Sequence, residues 1–332
     1  MHGDADTRAM TAQTSSRAAV AVVGALLMTA NAFAQTLGVP RTPWGDPDLQ
    51  GTFTNKDEVG TPLERPREFE GRRLEDITPV EVAAILKKRQ EDRPRVQADA
   101  SGRIGPTEWQ SQVDLTNGSR LWFVTSPPDG KIPPLTVEAH ARTVARQEAQ
   151  RGRGPADSWL DLDLGARCIT QGLPGSMMPG TSGNSYEIVQ APGYVAIRYE
   201  RINEVRVIPL DGRQHVNVRL RAHMGDARGH FQGDALIVET MNFRDESAYR
   251  GANPDRLRVV ERFTPKPDGK LEWSVTLDDP STWTGPWTFS MALTPNSEEP
   301  IIEYACHEGN RAMANTLSGA RAEERASQEK RK

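Results

Sequence analysis

From Tyr186 onward, apolar and polar residues alternate in short runs, and short turns separate the runs. Tyr186–Gln190 leads through Ala191-Pro192-Gly193 into Tyr194–Glu200, and Val205–Leu210 stops at Asp211-Gly212. Gly229–Gln232 meets Gly233-Asp234 and continues as Ala235–Thr240. Leu257–Thr264 and Leu271–Leu277 flank Pro267-Asp268-Gly269-Lys270, a hairpin signal, and Trp287–Leu293 and Ile301–Cys306 complete the series. A period of two puts the apolar side chains of each run on one face of a strand. Roughly six to eight strands joined this way form an antiparallel meander, which closes into an up-and-down barrel or folds into a barrel-like sandwich. The expected fold is therefore mainly β, with a lipocalin-like barrel preferred, of the size that holds one small ligand.

The N-terminal side reads differently. Arg17, the apolar run Ala18–Ala30 and the small-residue pattern Ala32-Phe33-Ala34 predict a processing signal over residues 1–34, too short in its apolar part for a bilayer span. Residues 35–167 are proline-rich and predict an irregular arm wrapped on the β domain of residues 168–319. Thr78-Pro79 with Glu81 has the signature of a helix start, predicting a helix to Arg89, and a second helix is expected from Thr136 through Arg151. Between them, Ser119–Val124 predicts a strand. The charged tail, residues 320–332, is expected to fray.

Composition excludes some functions. Net charge is −4 with basic residues scattered, so the stripe required for nucleic-acid binding is missing. After processing no segment is apolar enough to span a membrane, and the expected location is periplasmic or secreted. The 24 prolines and 28 glycines favour turns and β structure over a helical bundle. Two cysteines in an exported chain predict one disulfide, Cys168 to Cys306, in preference to a nucleophilic thiolate.

From Asn184 onward the chain resembles a family of exported bacterial proteins for which no reaction is established. The resemblance rests on Ile188–Tyr194, Ile208–Arg213, Gly225–Asp234, Glu239–Phe243, Val260–Thr264, Asp278–Trp287 and Tyr304–Asn310, with Pro47–Phe53 near the expected mature start. The family has tryptophan where this chain has Phe53 and Phe231, and it does not hold a histidine at His223. Gly51-Thr52-Phe53 is also similar to the glycine-x-tryptophan opening of lipocalin-like barrels. The resemblance implies membership and a barrel, and it supplies no activity.

Two polar constellations stand out. Asp226-Ala227-Arg228-Gly229-His230 carries glycines at Gly225 and Gly229; Asp226 would orient His230 as a general base, or the stretch is a hydrogen-bonded turn. Cys306-His307-Glu308 would hold His307 rigidly beside the disulfide, with Glu308 on the other face pairing Arg167 or Arg262, unless His307 is structural. Trp283, Trp287, Tyr186 and Tyr304 offer aromatic surface for a ligand or fill the core. Glu261 lies among apolar residues and must be paired or functional. His215, His223, His230 and His307 show no local zinc spacing, so a divalent metal would need convergence in three dimensions. No phosphate loop or dinucleotide fingerprint is present, and no organic cofactor is expected.

Two functions follow as expectations. The first is acid–base chemistry (hydrolysis, elimination or isomerisation) on a small cyclic or aromatic substrate. His307 and His230 would transfer protons, Asp226 would orient, and Arg228 or Asn242 would stabilise developing negative charge. The second is a lipocalin-like carrier that binds a small molecule without turnover.

Overall fold

The computed structural model describes residues 39–92, 114–180, 182–298 and 301–330, so the expected processing signal lies outside the described residues. Strand β9 (Leu271–Asp278) shows how the alternation works: Leu271, Trp273, Val275 and Leu277 are buried while Glu272, Ser274, Thr276 and Asp278 are only partly covered. Its neighbours β8 (Arg258–Pro265) and β10 (Trp287–Pro295) pair with it antiparallel, β8 over its whole length and β10 from Trp287 to Leu293. The hairpin between β8 and β9 turns at Lys266–Lys270, where Gly269 takes a φ of +80°. Such a positive φ is open to glycine at little cost.

The remaining strands are β1 (Gly51–Thr54), β2 (Val124–Ser126), β3 (Ser185–Ala191), β4 (Tyr194–Tyr199), β5 (Val205–Pro209), β6 (Asp226–Gln232) and β7 (Ala235–Met241). They form one 10-stranded sheet in the order β5-β4-β3-β1-β10-β9-β8-β7-β6, with β2 pairing β10 beside this path. All pairs are antiparallel. The sheet curls into a nearly closed barrel whose end strands, β5 and β6, meet through side chains rather than a ladder. A Cβ on Gly229 of β6 would lie 2.8 Å from both Ile208 Cγ2 and Leu210 Cδ2, so the missing side chain is what lets the seam close.

The interior is full. Tyr186, Tyr199, Phe263, Trp273, Trp287 and Phe289 are all buried inside one continuous core. The expected barrel is present, and large aromatic rings occupy its inward positions. A small barrel encloses just enough room for such side chains.

The arm contributes more than a wrapping. β1 sits between β3 and β10, with Phe53 opposite Tyr186 and Pro295. Gln190 of β3 locks the approach, accepting from Leu49 N at 2.6 Å and donating to Pro47 O at 3.0 Å. Without β1, two long strands would present open edges. The expected strand Ser119–Val124 is instead extended only at its end, as β2.

Three helices accompany the sheet. α1 (Pro79–Glu91) and α2 (Val137–Ala149) begin as expected, each with a threonine hydroxyl accepting a backbone N–H three residues on, Thr78 from Glu81 and Thr136 from Ala139. The expected strand Ile301–Cys306 is corrected: the segment runs without regular structure into a turn at Cys306–Gly309, and most of its side chains are exposed. β10 is already paired by β9, β1 and β2, so no edge remains for it there. The expected fraying tail is also corrected, to α3 (Ala312–Glu329), rich in the strong helix formers alanine, glutamate and arginine. No helix among the described residues is long and apolar enough to cross a membrane.

Gly225, just before β6, carries a φ of +69°, and a Cβ there would lie 2.6 Å from Thr240 Cγ2 and 2.7 Å from Met241 O. Gly225→Ala is expected to cost about 3 kcal/mol, because the clash involves backbone and the conformation is left-handed. Urea unfolding measures it, and an unchanged midpoint would refute the tight packing of this turn.

Candidate functional site

The expected disulfide is present, joining Cys168 and Cys306 across a sequence separation of 138. Cys168 has a φ of 56° and closes a knot of backbone bonds in which Arg167 N donates to Asp163 O and Cys168 N to Gly165 O. Asn310 Nδ2 lies 3.2 Å from Cys168 Sγ, so the Tyr304–Asn310 segment is pinned at two points.

A cavity opens on either side of this knot, and Gly165 lines both. One, of about 410 Å³, is lined by Tyr304, Cys306, Glu308 and Asn310. The other, of about 430 Å³, runs between residues 160–172 and residues 246–250, with Arg167, Thr170, Glu246, Tyr249 and Arg250 in its wall. The two sides approach closely where a Cβ on Gly172 would lie 3.1 Å from Ser247 O.

The second cavity concentrates unusual chemistry. The Arg167 guanidinium lies over the Trp159 ring at 4.9 Å, and its buried Nε has no hydrogen-bond partner among the described residues. Thr170 donates to Glu204 Oε2 at 2.8 Å, and burial raises the Glu204 pKa against the bonds from Thr170 and Ser176 that lower it. Burial also raises Tyr249, despite the nearby Arg250, so its phenol stays a proton donor. His223 is shifted the other way: burial first, then Arg244 and Arg167, disfavour its cation, while Glu246 opposes them. Its Nδ1 is buried without a partner among the described residues. Tyr249 in the wall, Glu204 bonded to the wall residue Thr170, and His223 within the field of Arg167 and Glu246 are thus each pushed toward their neutral forms, as in sites that use one group as base and another as acid.

Asp226 and Arg228 belong to a different cluster. They share the outer face of β6 with His230, but Asp226 and His230 are four residues apart, roughly 13 Å along a strand, beyond hydrogen-bond reach. The Asp226–His230 pairing is therefore corrected. Asp226 Oδ2 instead faces His215 Nδ1 at 2.9 Å and accepts from Val216 N, while Arg228 Nη1 donates to Oδ1 at 2.6 Å. Burial alone would raise the Asp226 carboxyl, but these bonds outweigh it and hold the group below its usual range. His215 Nε2 lies 3.3 Å from Glu239 Oε1, Arg258 bonds the other oxygen of Glu239, and Asn242 donates to Val216 O. With both ring nitrogens of His215 engaged by carboxylates, the cluster clamps the loop between β5 and β6 onto the barrel. It leaves no free nitrogen to take a substrate proton.

The other expected site residues separate. His230 and His307 are exposed, and Glu308, not His307, lines a cavity, because strand alternation does not apply to a turn. Of the partners expected for Glu308, Arg262 donates to Gln232 and Arg167 covers Trp159. Tyr186 is buried in the barrel, donating to Asn55 Oδ1 at 3.1 Å. Trp283 and Trp287 pack edge to face at 5.6 Å, both buried, and so fill core rather than offering ligand surface. Glu261 lies inside the barrel, bonded by Arg206 and Trp273, rather than beside a substrate. Of these aromatics, Tyr304 lines a cavity.

Among the described residues no group of three or more His, Cys, Asp or Glu side chains could hold a metal. Sequence reasoning missed Glu204 and Tyr249 and treated Arg167 only as an ion-pair partner. The adjacency of Arg167 to a bridging cysteine was the available signal. No protein-family model matches the chain, and no curated protein sequence matches it.

Proposed function

We propose that this chain performs acid–base chemistry on a small anionic substrate held in the cavity between residues 160–172 and 246–250. The observation that carries the reading is the meeting of an incompletely bonded arginine, Arg167, with Tyr249 and Glu246 in that wall, where Arg167 and Glu246 act on His223 through their charges and the wall residue Thr170 bonds Glu204. Arg167 would bind the anionic group, His223 would take a proton as a neutral imidazole, and Tyr249 or Glu204 would return one. Leu160, Leu162 and Ala248 supply an apolar wall suited to a ring. The reaction class is hydrolysis, elimination or isomerisation, without an organic cofactor. The disulfide and the reading of residues 1–34 as a processing signal support a periplasmic or secreted location.

His223 is a feature of this chain rather than of the family it resembles, so the proposal is specific to this protein. Its lowered pKa keeps the base form available at lower pH than an ordinary imidazole, near 6.5, would allow. The acid limb of kcat should therefore fall below that value. By the same linkage, the fold loses stability as pH drops through the ordinary imidazole range, because the unfolded chain binds the proton more readily.

The test uses 4-nitrophenyl esters that carry a free carboxylate, with their hydrolysis products as binding probes. Arg167→Gln should raise KM about tenfold, and His223→Gln should lower kcat about a hundredfold with little change in melting temperature. Full activity in His223→Gln would remove the histidine from the mechanism. Saturable binding of the products with no turnover of any ester would favour the carrier reading. The exposure of His230 and His307, away from the cavity, is the observation on that side.

A further inference from the structure

A further cavity, of about 620 Å³, lies far from that chemistry in sequence and has a different character. One wall is α1, which turns Pro79, Val82, Ala83 and Leu86 toward it, the i, i+3, i+4, i+7 spacing of a single helical stripe. Ile77 and Trp122 face it as well, and they belong to a small hydrophobic cluster with Phe69, Leu86 and Leu121, separate from the barrel core. This cluster is well supported: Trp122 packs against Phe69 at 5.5 Å, and a Cβ on Gly130 would lie 2.7 Å from its Nε1. The apolar walls are thus preformed.

A basic group meets this apolar space. Arg120 lines the cavity, its Nη2 reaches Glu272 Oε1 only at 3.4 Å, and its buried Nε has no hydrogen-bond partner among the described residues. A guanidinium carries five N–H donors, so this contact leaves capacity for a planar anion. Thr116 and Ser119 add hydroxyl groups in the same wall. An apolar volume with a few convergent polar groups is the usual form of a small-molecule site. We propose that this cavity binds an amphiphilic carboxylate, its aliphatic chain against the α1 stripe and Trp122 and its head on Arg120. This site is independent of the acid–base cavity and does not require that reading.

Calorimetric titration of the full-length protein with decanoate, and in parallel with decanol, tests the proposal. Decanoate should saturate one site per chain. Ala83→Trp, at an exposed helix position, should fill the mouth and weaken binding tenfold or more while the melting temperature holds. Arg120→Gln should weaken decanoate about tenfold, the scale of one lost charge-assisted bond, and leave decanol unchanged. Arg167→Gln should leave decanoate affinity as it was, and that readout separates the two cavities. The proposal is overturned by an absence of saturable binding, by wild-type affinity in Ala83→Trp, by decanol binding as tightly as decanoate, or by loss of decanoate binding in Arg167→Gln.

Discussion

Arg206→Met is expected to destabilise the protein by about 3–5 kcal/mol, the scale for leaving one member of a buried ion pair without its partner. Arg206 on β5 and Glu261 on β8 meet inside the barrel, with side-chain exposures of 4% and 0%. Arg206 donates through both terminal nitrogens, one bond measuring 3.0 Å, and Trp273 Nε1 donates to Glu261 Oε1 at 3.1 Å. Removing the guanidinium strands a carboxylate among aromatic rings, where ionisation is costly. The pair also ties the end strand β5 across the interior on the side where β5 and β6 share no ladder. Replacing both partners, as Arg206→Met with Glu261→Leu, should recover most of the loss, because an apolar pair removes both desolvation costs. Denaturant unfolding of the single and double variants checks this. A double variant no more stable than the single would mean that the pair does not act as a unit.

Removal of the disulfide, by Cys168→Ala with Cys306→Ala, is the other large effect. The bridge closes a loop with a sequence separation of 138. The chain-entropy treatment assigns such a loop about 5 kcal/mol of unfolded-state constraint, which corresponds to a fall in melting temperature of roughly 8 °C for a protein of this size. A local loss should accompany the global one. The turns from Tyr304 to Asn310 are held to the barrel side through Cys168, so releasing them dismantles the smaller cavity and loosens the loop that carries Arg167. Scanning calorimetry with and without reductant measures the global term. Thiol titration of the denatured, unreduced protein should find no free thiol, and equal melting temperatures with the bridge intact and broken would refute the constraint.

The β architecture was legible because its signals are local. Alternation in Leu271–Leu277, the turns at Gly193, Gly233 and Gly269, and the threonine caps of α1 and α2 each need only a few neighbouring residues to act. The disulfide was legible by arithmetic, since two cysteines have one pairing. Ile301–Cys306 misled because an apolar run becomes a strand only where a free edge awaits it, and β10 had none left. The tail misled in the other direction: charge suggested fraying, while alanine-rich helix propensity prevailed in α3.

The polar groups were harder to read, for a definite reason. Asp226 and His230 are near in sequence yet share no bond, while Asp226 and His215 meet at 2.9 Å across a loop of eleven positions. Arg167 and Tyr249 come from distant segments that only the folded chain brings to one cavity wall, and Glu204 and His223 are coupled to that wall through Thr170 and through the charges of Arg167 and Glu246. Local periodicity determined that this chain makes antiparallel strands with one apolar face, and the cysteines determined its covalent link. Tertiary structure alone decided that the inward positions would carry aromatic rings around a buried Arg206–Glu261 pair, and which of the remaining titratable groups would meet. Strand formation depends on residues a turn apart, whereas burial and pKa depend on whatever the folded chain carries to the same place.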